Sequence, residues 1–219
     1  CAAPLIDAAG AFSGSGMPLV TIGARADALT KTSGNAAGNV FRMSPSSAQE
    51  TEAVSSLLLP LWRGKKFAIV DDGTLRSREL ADSLRLAAEE QGLQPVLIDT
   101  LRPGQEDHFA LISRLKKAGA THAFAGGDRE DVAIIAQNAA EKNYKLTIAG
   151  SDVLNAAPLD HALPDGVLMI GVQPAARREE ARNAVAAASA AKTVPEGYYL
   201  PAYAAIEMIA NASVAAANG

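Results

Sequence analysis

"FAIVDDGTLRSREL", residues 67–80, joins an apolar run to two aspartates, a Gly-Thr turn and a charged segment that begins an amphipathic pattern. A short apolar run that stops at a turn is typical of a buried strand, and the segment after it is typical of a helix. The charge at the strand end allows three interpretations. The aspartates could be catalytic or accept a phosphoryl group, the loop could line a ligand crevice, or the charges could be solvated.

The same strand-and-helix pattern continues along the middle of the chain. Strands are predicted at 64–72, 94–100, 121–127 and 145–152, with helices at 77–92, 105–120 and 129–143. Continuous apolar strands that alternate with helices of this length indicate a parallel sheet covered on both faces. The predicted fold class is therefore α/β with a doubly wound parallel sheet.

The flanking segments carry weaker patterns. They predict a helix at 3–12, a strand at 17–23, a helix at 44–62, a strand at 165–174 and packed Ala-rich helices at 178–191 and 201–217. Ser47 and Glu50 have the spacing of a capping box at the start of the helix at 44–62. Residues 1–45 hold too little structure to bury a core alone. We expect 1–45 and 173–219 to form a partial first lobe, with segments missing at one or both ends, and 46–172 to form a complete second lobe.

Composition excludes several classes of protein. The 219 residues are 48% hydrophobic and 20% charged with a net charge of −4, and they contain no basic stripe of the kind that binds nucleic acid. No apolar run is expected to reach the roughly 18 residues of a membrane span. Cys1, the single cysteine, allows no internal disulfide, and no histidine pair has metal-ligand spacing, so neither metal nor cofactor is predicted. A chain that begins with Cys and not Met is expected to be a processed product or a fragment, and such a cysteine can carry a lipid anchor.

Two catalytic interpretations fit the sequence poorly. Asp71 and Asp72 resemble the acidic pair of receiver domains, but the strand at 165–174 is not followed by the lysine that a receiver needs. We expect one of these aspartates to bind backbone amides of its turn instead. "AGGDRED", residues 125–131, lacks a phosphate-loop pattern and predicts Asp128 as a helix N-cap. The serines lack the G-x-S-x-G context of a hydrolase.

Several segments together resemble a known family. "GMPLVTIGARADALT" (16–30), "NVFRMSPSSAQETEAV" (39–54), "DHFALISRLKKAGATHAFAGG" (107–127) and "GYYLPAYAAIEMIANA" (197–212) are similar, in order, to segments of leucine/isoleucine/valine-binding-like type I periplasmic solute-binding proteins. The resemblance implies two doubly wound lobes joined by crossovers and a ligand trapped between them by hinge closure. It also implies an inner-membrane ABC permease as partner, a periplasmic or lipid-anchored extracytoplasmic location, and no enzyme activity.

The candidate ligand site follows from the sheet and from the resemblance. Ligands of open α/β sheets bind beyond the carboxyl ends of the strands. This rule selects Gly23, Ala24, Arg25, Thr74 to Arg76, Asp128, Ser151, Asp152 and Gln173. The resemblance places ligand contacts at Ala2, Gly23 to Arg25, Arg76, Asp128 and Asp152. Four of these five positions differ from the family's usual residue type, so the resemblance does not fix a branched-chain amino acid as the ligand.

The charges at these positions indicate a class of ligand. Arg25 and Arg76 favour an anion, because a guanidinium matches the geometry of a carboxylate. Asp128 and Asp152 could accept from an ammonium, an amide or a hydroxyl, or could neutralise the two arginines. We therefore expect an amino acid or another small organic acid as ligand. A sensory module of the same fold that feeds a regulator is the first competing hypothesis, and a catalytic or receiver α/β domain is the second.

Overall fold

The computed structural model describes residues 5, 8, 12, 15–31, 39–157, 159–172, 176 and 178–218. The chain divides into two compact units, which are Cys1–Gln49 with Gln173–Gly219 (unit 1) and Glu50–Val172 (unit 2). The predicted helix at 3–12 lies mostly outside the described residues.

The regular elements follow one another along the chain as short strands and longer helices. In order they are β1 Leu19–Thr21, α1 Ala28–Lys31, β2 Val40–Arg42, α2 Ser47–Leu61, β3 Phe67–Asp71, α3 Leu75–Glu90, β4 Leu97–Thr100, α4 Phe109–Ala118, β5 His122–Ala125, α5 Arg129–Glu141, β6 Thr147–Ser151, β7 Leu168–Ile170, α6 Arg182–Ala190 and α7 Tyr199–Asn218, with 3₁₀ helices at Asp152–Asn155 and Glu179–Ala181.

Unit 2 is built on a five-stranded sheet of order β4-β3-β5-β6-β7, in which every pairing is parallel. The register sets Val70 beside Asp99 on one side and beside Ala125 on the other. Parallel neighbours need a crossover, and here most crossovers contain a helix. The prediction of an α/β fold with a doubly wound parallel sheet is confirmed.

The apolar strands are continuous because both faces of the sheet are covered. Phe67 and Ile69 pack with Trp62 and the apolar sides of α2 and α3, whereas Ala68 and Val70 pack against α4 and α5 on the other face. Successive side chains of a strand point to opposite faces, so every residue of β3 must be compatible with burial. This is why the run at 67–71 is buried throughout.

The start of α2 corrects one sequence prediction. The capping box is formed by Ser46 and Gln49 and not by Ser47 and Glu50. The Gln49 backbone N–H donates to Ser46 Oγ at 3.1 Å, and the Ser46 N–H donates to Gln49 Oε1 at 2.9 Å. Serine and glutamine at this spacing satisfy two free amides reciprocally, as serine and glutamate would. Glu50 therefore lies outside the capping box.

Unit 1 contains a parallel pair of strands, β1 and β2, beside the short helix α1. The sequence analysis predicted neither α1 nor β2, since elements of three or four residues are too short to show a periodicity. The buried apolar cluster of unit 1 centres on Leu29 and Val40, whereas the Phe41 side chain is 48% exposed.

The prediction that the Ala-rich C-terminal helix is packed was wrong for most of α7. Ala205 is buried, but the described side chains from Ile206 to Ala217 are all exposed. The expectation that no apolar run would approach membrane length was also wrong here. Tyr199–Ala217 has the length and mean hydropathy, 1.3 over 19 residues, of a membrane-spanning helix. Length and composition alone are weak support for a span.

The single tryptophan provides a test of the core at the start of β5. The Trp62 and His122 rings meet edge to face with centroids 5.7 Å apart. Burial, and then the positive charge of Lys65, lower the pKa of His122 below its ordinary value of 6.5. Because an imidazolium quenches a neighbouring indole more than a neutral imidazole does, the emission of Trp62 should fall on acidification with a midpoint below 6.5. Fluorescence titration of the native protein measures this midpoint.

The lowered pKa of His122 also makes the free energy of unfolding depend on pH. As pH falls through 6.5 the unfolded chain takes up a proton at His122 before the native state does, so the free energy of unfolding should decrease. The matched control is His122→Gln, which should remove the fluorescence transition while His108 and His161 remain. A midpoint at or above 6.5 in the native protein would contradict the assignment.

Candidate functional site

The order of strands in unit 2 locates the position where a crevice is expected. The chain runs outward from β3 to β4 and then returns across β3 to β5, so the direction of winding reverses between β3 and β5. In open α/β sheets ligands bind beyond the carboxyl ends of the strands at such a reversal. The loops that follow β3 and β5 begin at Asp72 and Gly126.

The loops that follow β3 and β5 approach each other closely at this reversal point. The Gly126 N–H donates to the Val70 carbonyl at 2.8 Å, and a Cβ at position 126 would lie 2.3 Å from Ser77 Oγ. Ser77, in the first turn of α3, is buried, and its Oγ accepts from the Asp72 N–H at 3.1 Å. Glycine is therefore required at 126 so that α3 can pack against the end of β5.

The two aspartates at the end of β3 organise their own turn, as the sequence analysis expected. Asp71 Oδ1 accepts from the Gly73 N–H at 2.7 Å, and its Oδ2 accepts from the Thr100 hydroxyl at 3.0 Å. Asp72 Oδ1 accepts from both the amide and the hydroxyl of Thr74. The carboxylates thus satisfy donors that the strand end leaves free. Within the described part of the chain, no three His, Cys, Asp or Glu side chains gather as a metal site.

Asp128 is the N-cap of α5, as predicted. Its Oδ1 accepts from the Asp131 N–H at 3.0 Å. Asp131 is itself buried, and its Oδ1 accepts from the Gly104 N–H at 2.9 Å and lies 3.3 Å from His108 Nε2. The backbone N–H of His108 donates to Asn138 Oδ1 at 2.7 Å. This buried polar cluster ties the loop between β4 and α4 to α5.

A charged contact at this edge joins three segments. Arg76 Nη2 donates to Glu50 Oε1 at 2.5 Å, and the same nitrogen lies 3.7 Å from Asp152 Oδ1. The Glu50 and Asp152 side chains are only 6% and 14% exposed, whereas Arg76 is 41% exposed. Asp152 is also held against the chain after β7, because a Cβ at Gly171 would lie 2.4 Å from the Asp152 Cβ.

This contact brings together two of the predicted site residues, Arg76 and Asp152, and adds one that the sequence analysis missed. Glu50 carried a signal, a charged residue in the first turn of a helix, but the capping pattern gave it another role. The Arg76 guanidinium thus donates to Glu50 and lies near a second carboxylate, that of Asp152. Arg76 is therefore less available to a ligand carboxylate than its sequence position suggested.

In unit 1 the predicted residues Gly23, Ala24 and Arg25 form the loop that follows β1. The Ala24 N–H donates to Thr21 Oγ1 at 3.1 Å, and the Arg25 carbonyl accepts from the Ser47 N–H at 2.9 Å. The Arg25 side chain is buried.

Tyr198 is a residue of unit 1 that sequence reasoning did not select. A Cβ at Gly23 would lie 3.4 Å from the Tyr198 ring, and the ring is half exposed. No pattern in the sequence around 198 indicates this contact. The predicted contacts Ala2 and Gln173 lie outside the described residues.

The geometry of the site does not by itself identify the protein family, but a comparison with family models does. Residues 3–219 match the model of a periplasmic binding protein family. The chain belongs to this family. Its fold is the type I fold of periplasmic binding proteins.

Individual periplasmic binding proteins show how far the similarity extends. The chain is 29% identical over 201 residues to the Leu/Ile/Val-binding protein BraC3 of Rhizobium johnstonii, covering 89% of this chain and 53% of that protein. The chain spans about half the length of the curated relatives that it matches.

Two solved structures share the fold at low sequence identity. One is a solute binding protein of an ABC transporter from Rhodopseudomonas palustris BisB5 in complex with 3,4-dihydroxybenzoic acid, with a TM-score of 0.71, 16% identity and coverage of 93% of this chain and 57% of that one. The other is an ABC transporter substrate-binding protein from Desulfitobacterium hafniense in complex with Leu, with a TM-score of 0.68, 17% identity and coverage of 94% and 60%.

The contact between Glu50 and Arg76 can be tested by stability. Arg76→Ala removes a charged donor to the buried Glu50 carboxylate, so we expect a loss of roughly 1–3 kcal/mol in the free energy of unfolding. Arg78→Ala, in the same helical turn, removes an arginine that is 61% exposed and 3.7 Å from Asp71, and should cost less than about 0.5 kcal/mol. Urea denaturation of the two variants makes the comparison, and equal losses would contradict the structural role of Arg76.

Proposed function

We propose that this protein is the solute-binding component of an ABC importer and that the carboxyl edge of the unit 2 sheet contacts the ligand. The observation that carries the proposal is the cluster of Glu50, Arg76 and Asp152, because it assembles charged side chains from three segments where an α/β sheet offers its ligand-binding edge. Membership of the periplasmic binding protein family supports it.

The Asp152 carboxylate at this edge favours a ligand with a hydrogen-bond donor or a positive group at one end. Asp152 is partly buried, and a carboxylate accepts hydrogen bonds from an ammonium or a hydroxyl. The two ligands in the solved relatives, Leu and 3,4-dihydroxybenzoic acid, both have a carboxylate and, apart from it, such donors. The proposed ligand is an amino acid or a small hydroxylated organic acid.

The proposal includes a partner and a location. An importer's binding protein works outside the cytoplasm and delivers its ligand to an inner-membrane permease, so we propose a periplasmic or lipid-anchored extracytoplasmic protein that docks on an ABC permease. Membership of the periplasmic binding protein family and the similarity to a Leu/Ile/Val-binding protein support a binding role, and the proposal contains no chemical step and no cofactor.

The experiment is a thermal-shift screen of the protein against amino acids, hydroxylated aromatic acids, dicarboxylates and sugars. A ligand that binds only the native state adds RT ln(1 + [L]/Kd), which is about 2.7 kcal/mol at a hundredfold excess over Kd. We expect a rise in Tm with one chemical class, confirmed by calorimetric titration. A folded protein whose Tm no compound raises would overturn the proposal.

A pair of aspartate variants tests the proposed edge. Asp152→Asn should reduce the ligand-induced rise in Tm, because it removes the carboxylate that accepts from the ligand. Asp160→Asn makes the same chemical change at an exposed position and should leave the rise unaltered. If both variants keep the full response, the ligand does not contact this edge.

A further inference from the structure

Positive charge gathers at the amino ends of the central strands of unit 2. Segments 62–66, 116–121 and 143–146 lead into β3, β5 and β6, and these three segments contain no Asp or Glu. Their basic residues are all exposed, and they are Arg63, Lys65, Lys66, Lys116, Lys117 and Lys145. Among the described residues, the ion pairs of unit 2 are made by other side chains.

Contacts between the starts of the strands bring these residues to one end of the sheet. β3, β5 and β6 are parallel neighbours, so their amino ends share an edge. The Thr121 N–H donates to the Lys66 carbonyl at 2.7 Å, and the Thr147 N–H donates to the Thr121 carbonyl at 3.0 Å. A Cβ at Gly119 would lie 3.9 Å from Lys66 Nζ. The six basic side chains therefore belong to one surface, which we call the basic end of unit 2.

Part of this charge has an ordinary structural role. Lys116 and Lys117 lie in the last turn of α4, where a positive group stabilises the negative end of the helix dipole. That effect is confined to the last turn of a helix. It does not account for Lys65, Lys66 and Lys145, which lie in the loops beyond the ends of α2 and α5.

The opposite edge of the same sheet is acidic. The carboxylates there include those of Asp71, Asp72, Asp128 and Asp152, and the whole chain has a net charge of −4. An anionic surface repels the acidic edge and attracts the basic end, so it would orient the unit with the basic end towards it.

Two exposed leucines adjoin the basic end. Leu57 and Leu61 are 52% and 63% exposed, and their spacing of four residues places them on the same side of α2. Leu61 is the last residue of that helix and precedes Arg63 closely. Apolar side chains beside lysine and arginine are typical of surfaces that lie on a membrane. A soluble polyanion would need the charge but not the leucines.

We propose that the basic end of unit 2 binds the surface of a membrane that is rich in anionic phospholipids. The basic side chains contact the lipid phosphates, and Leu57 and Leu61 enter the headgroup region. This interaction is separate from ligand capture, because it uses the end of the sheet opposite the proposed ligand-binding edge and needs no ligand. The basic residues come from three separate segments, so the sequence alone shows no basic stripe.

Co-sedimentation with vesicles measures the interaction. The native protein is mixed with vesicles of phosphatidylglycerol and phosphatidylcholine, or of phosphatidylcholine alone, at about 0.01 M and about 1 M salt, where the Debye length is about 30 Å and about 3 Å. We expect binding to the anionic vesicles at low salt and its loss at high salt. The neutral vesicles control for apolar binding by the exposed helix α7.

The variant Lys65→Gln/Lys66→Gln/Lys117→Gln should weaken binding to the anionic vesicles by on the order of a hundredfold, since each lysine near such a surface contributes about fivefold. Lys145 is left in place because Asp165 lines the same surface depression and offsets its charge.

The matched control is Arg78→Gln/Arg102→Gln/Lys192→Gln. It lowers the net charge by the same amount at exposed positions outside the basic end, so it should leave the affinity for anionic vesicles nearly unchanged. Circular dichroism checks that both variants are folded, as expected for substitutions of exposed residues.

The contribution of the leucines has its own test. Leu61→Ser keeps every charge and should weaken binding to anionic vesicles by about tenfold, because it removes an apolar side chain that the membrane would cover. An unchanged affinity would overturn the insertion of the leucines.

The remaining outcomes separate the membrane from other partners. Salt-sensitive binding to anionic vesicles that the lysine variant loses and its control keeps supports the proposal. Equal binding to anionic and neutral vesicles, or equal effects of the two triple variants, would overturn it. Binding to heparin through the same lysines without binding to vesicles would also overturn it, since the partner would then be a soluble polyanion. Each of these failures leaves the proposed function intact, because none of the measurements involves the ligand.

Discussion

Burial of both faces of the unit 2 sheet is the constraint on which the rest of that unit depends. With helices on each side, the central strands β3, β5 and β6 are buried along nearly their whole length, so polar side chains of this part of the sheet gather at the strand ends. There, backbone groups no longer pair along the sheet and need other partners. The Asp71 carboxylate accepts from the Gly73 N–H in the turn after β3, and the Asp128 carboxylate caps the start of α5. At the same edge, Arg76 joins the side chains of Glu50 and Asp152 from two other segments.

The parts of the fold that the sequence predicted well are those in which burial controls residue type. The strand at 67–71 and the helices around it carry long periodic signals, and the aspartates and Asp128 carry local turn and cap signals. The parts that it did not predict are short or shifted. β2 has three residues, and the cap of α2 begins one residue earlier than the nearest matching pattern suggested.

The sequence predicted where the residues of the candidate site lie in the fold, but not which of their side chains contact each other. The rule about strand ends selected Arg76 and Asp152, and the structure places them 3.7 Å apart. Glu50, in contrast, is 26 positions from Arg76 in the sequence, and nothing local indicates that their side chains meet. Long-range pairing depends on how α2 and α3 lie on the same sheet face, which a single sequence does not encode in any periodic pattern. The sequence suggested Arg76 as a residue that binds a ligand anion. In the structure Arg76 forms an ion pair with Glu50.

The position of Ser46 and Gln49 has a consequence for anyone who wishes to produce the second unit by itself. The boundary between the units falls inside α2, with the capping box on one side and Glu50 on the other. A gene fragment trimmed at that boundary would begin in the middle of a helical turn, with uncapped amides directly beside the residue that engages Arg76. The trimming point belongs before Ser46, so that the isolated unit keeps a native beginning to its first helix.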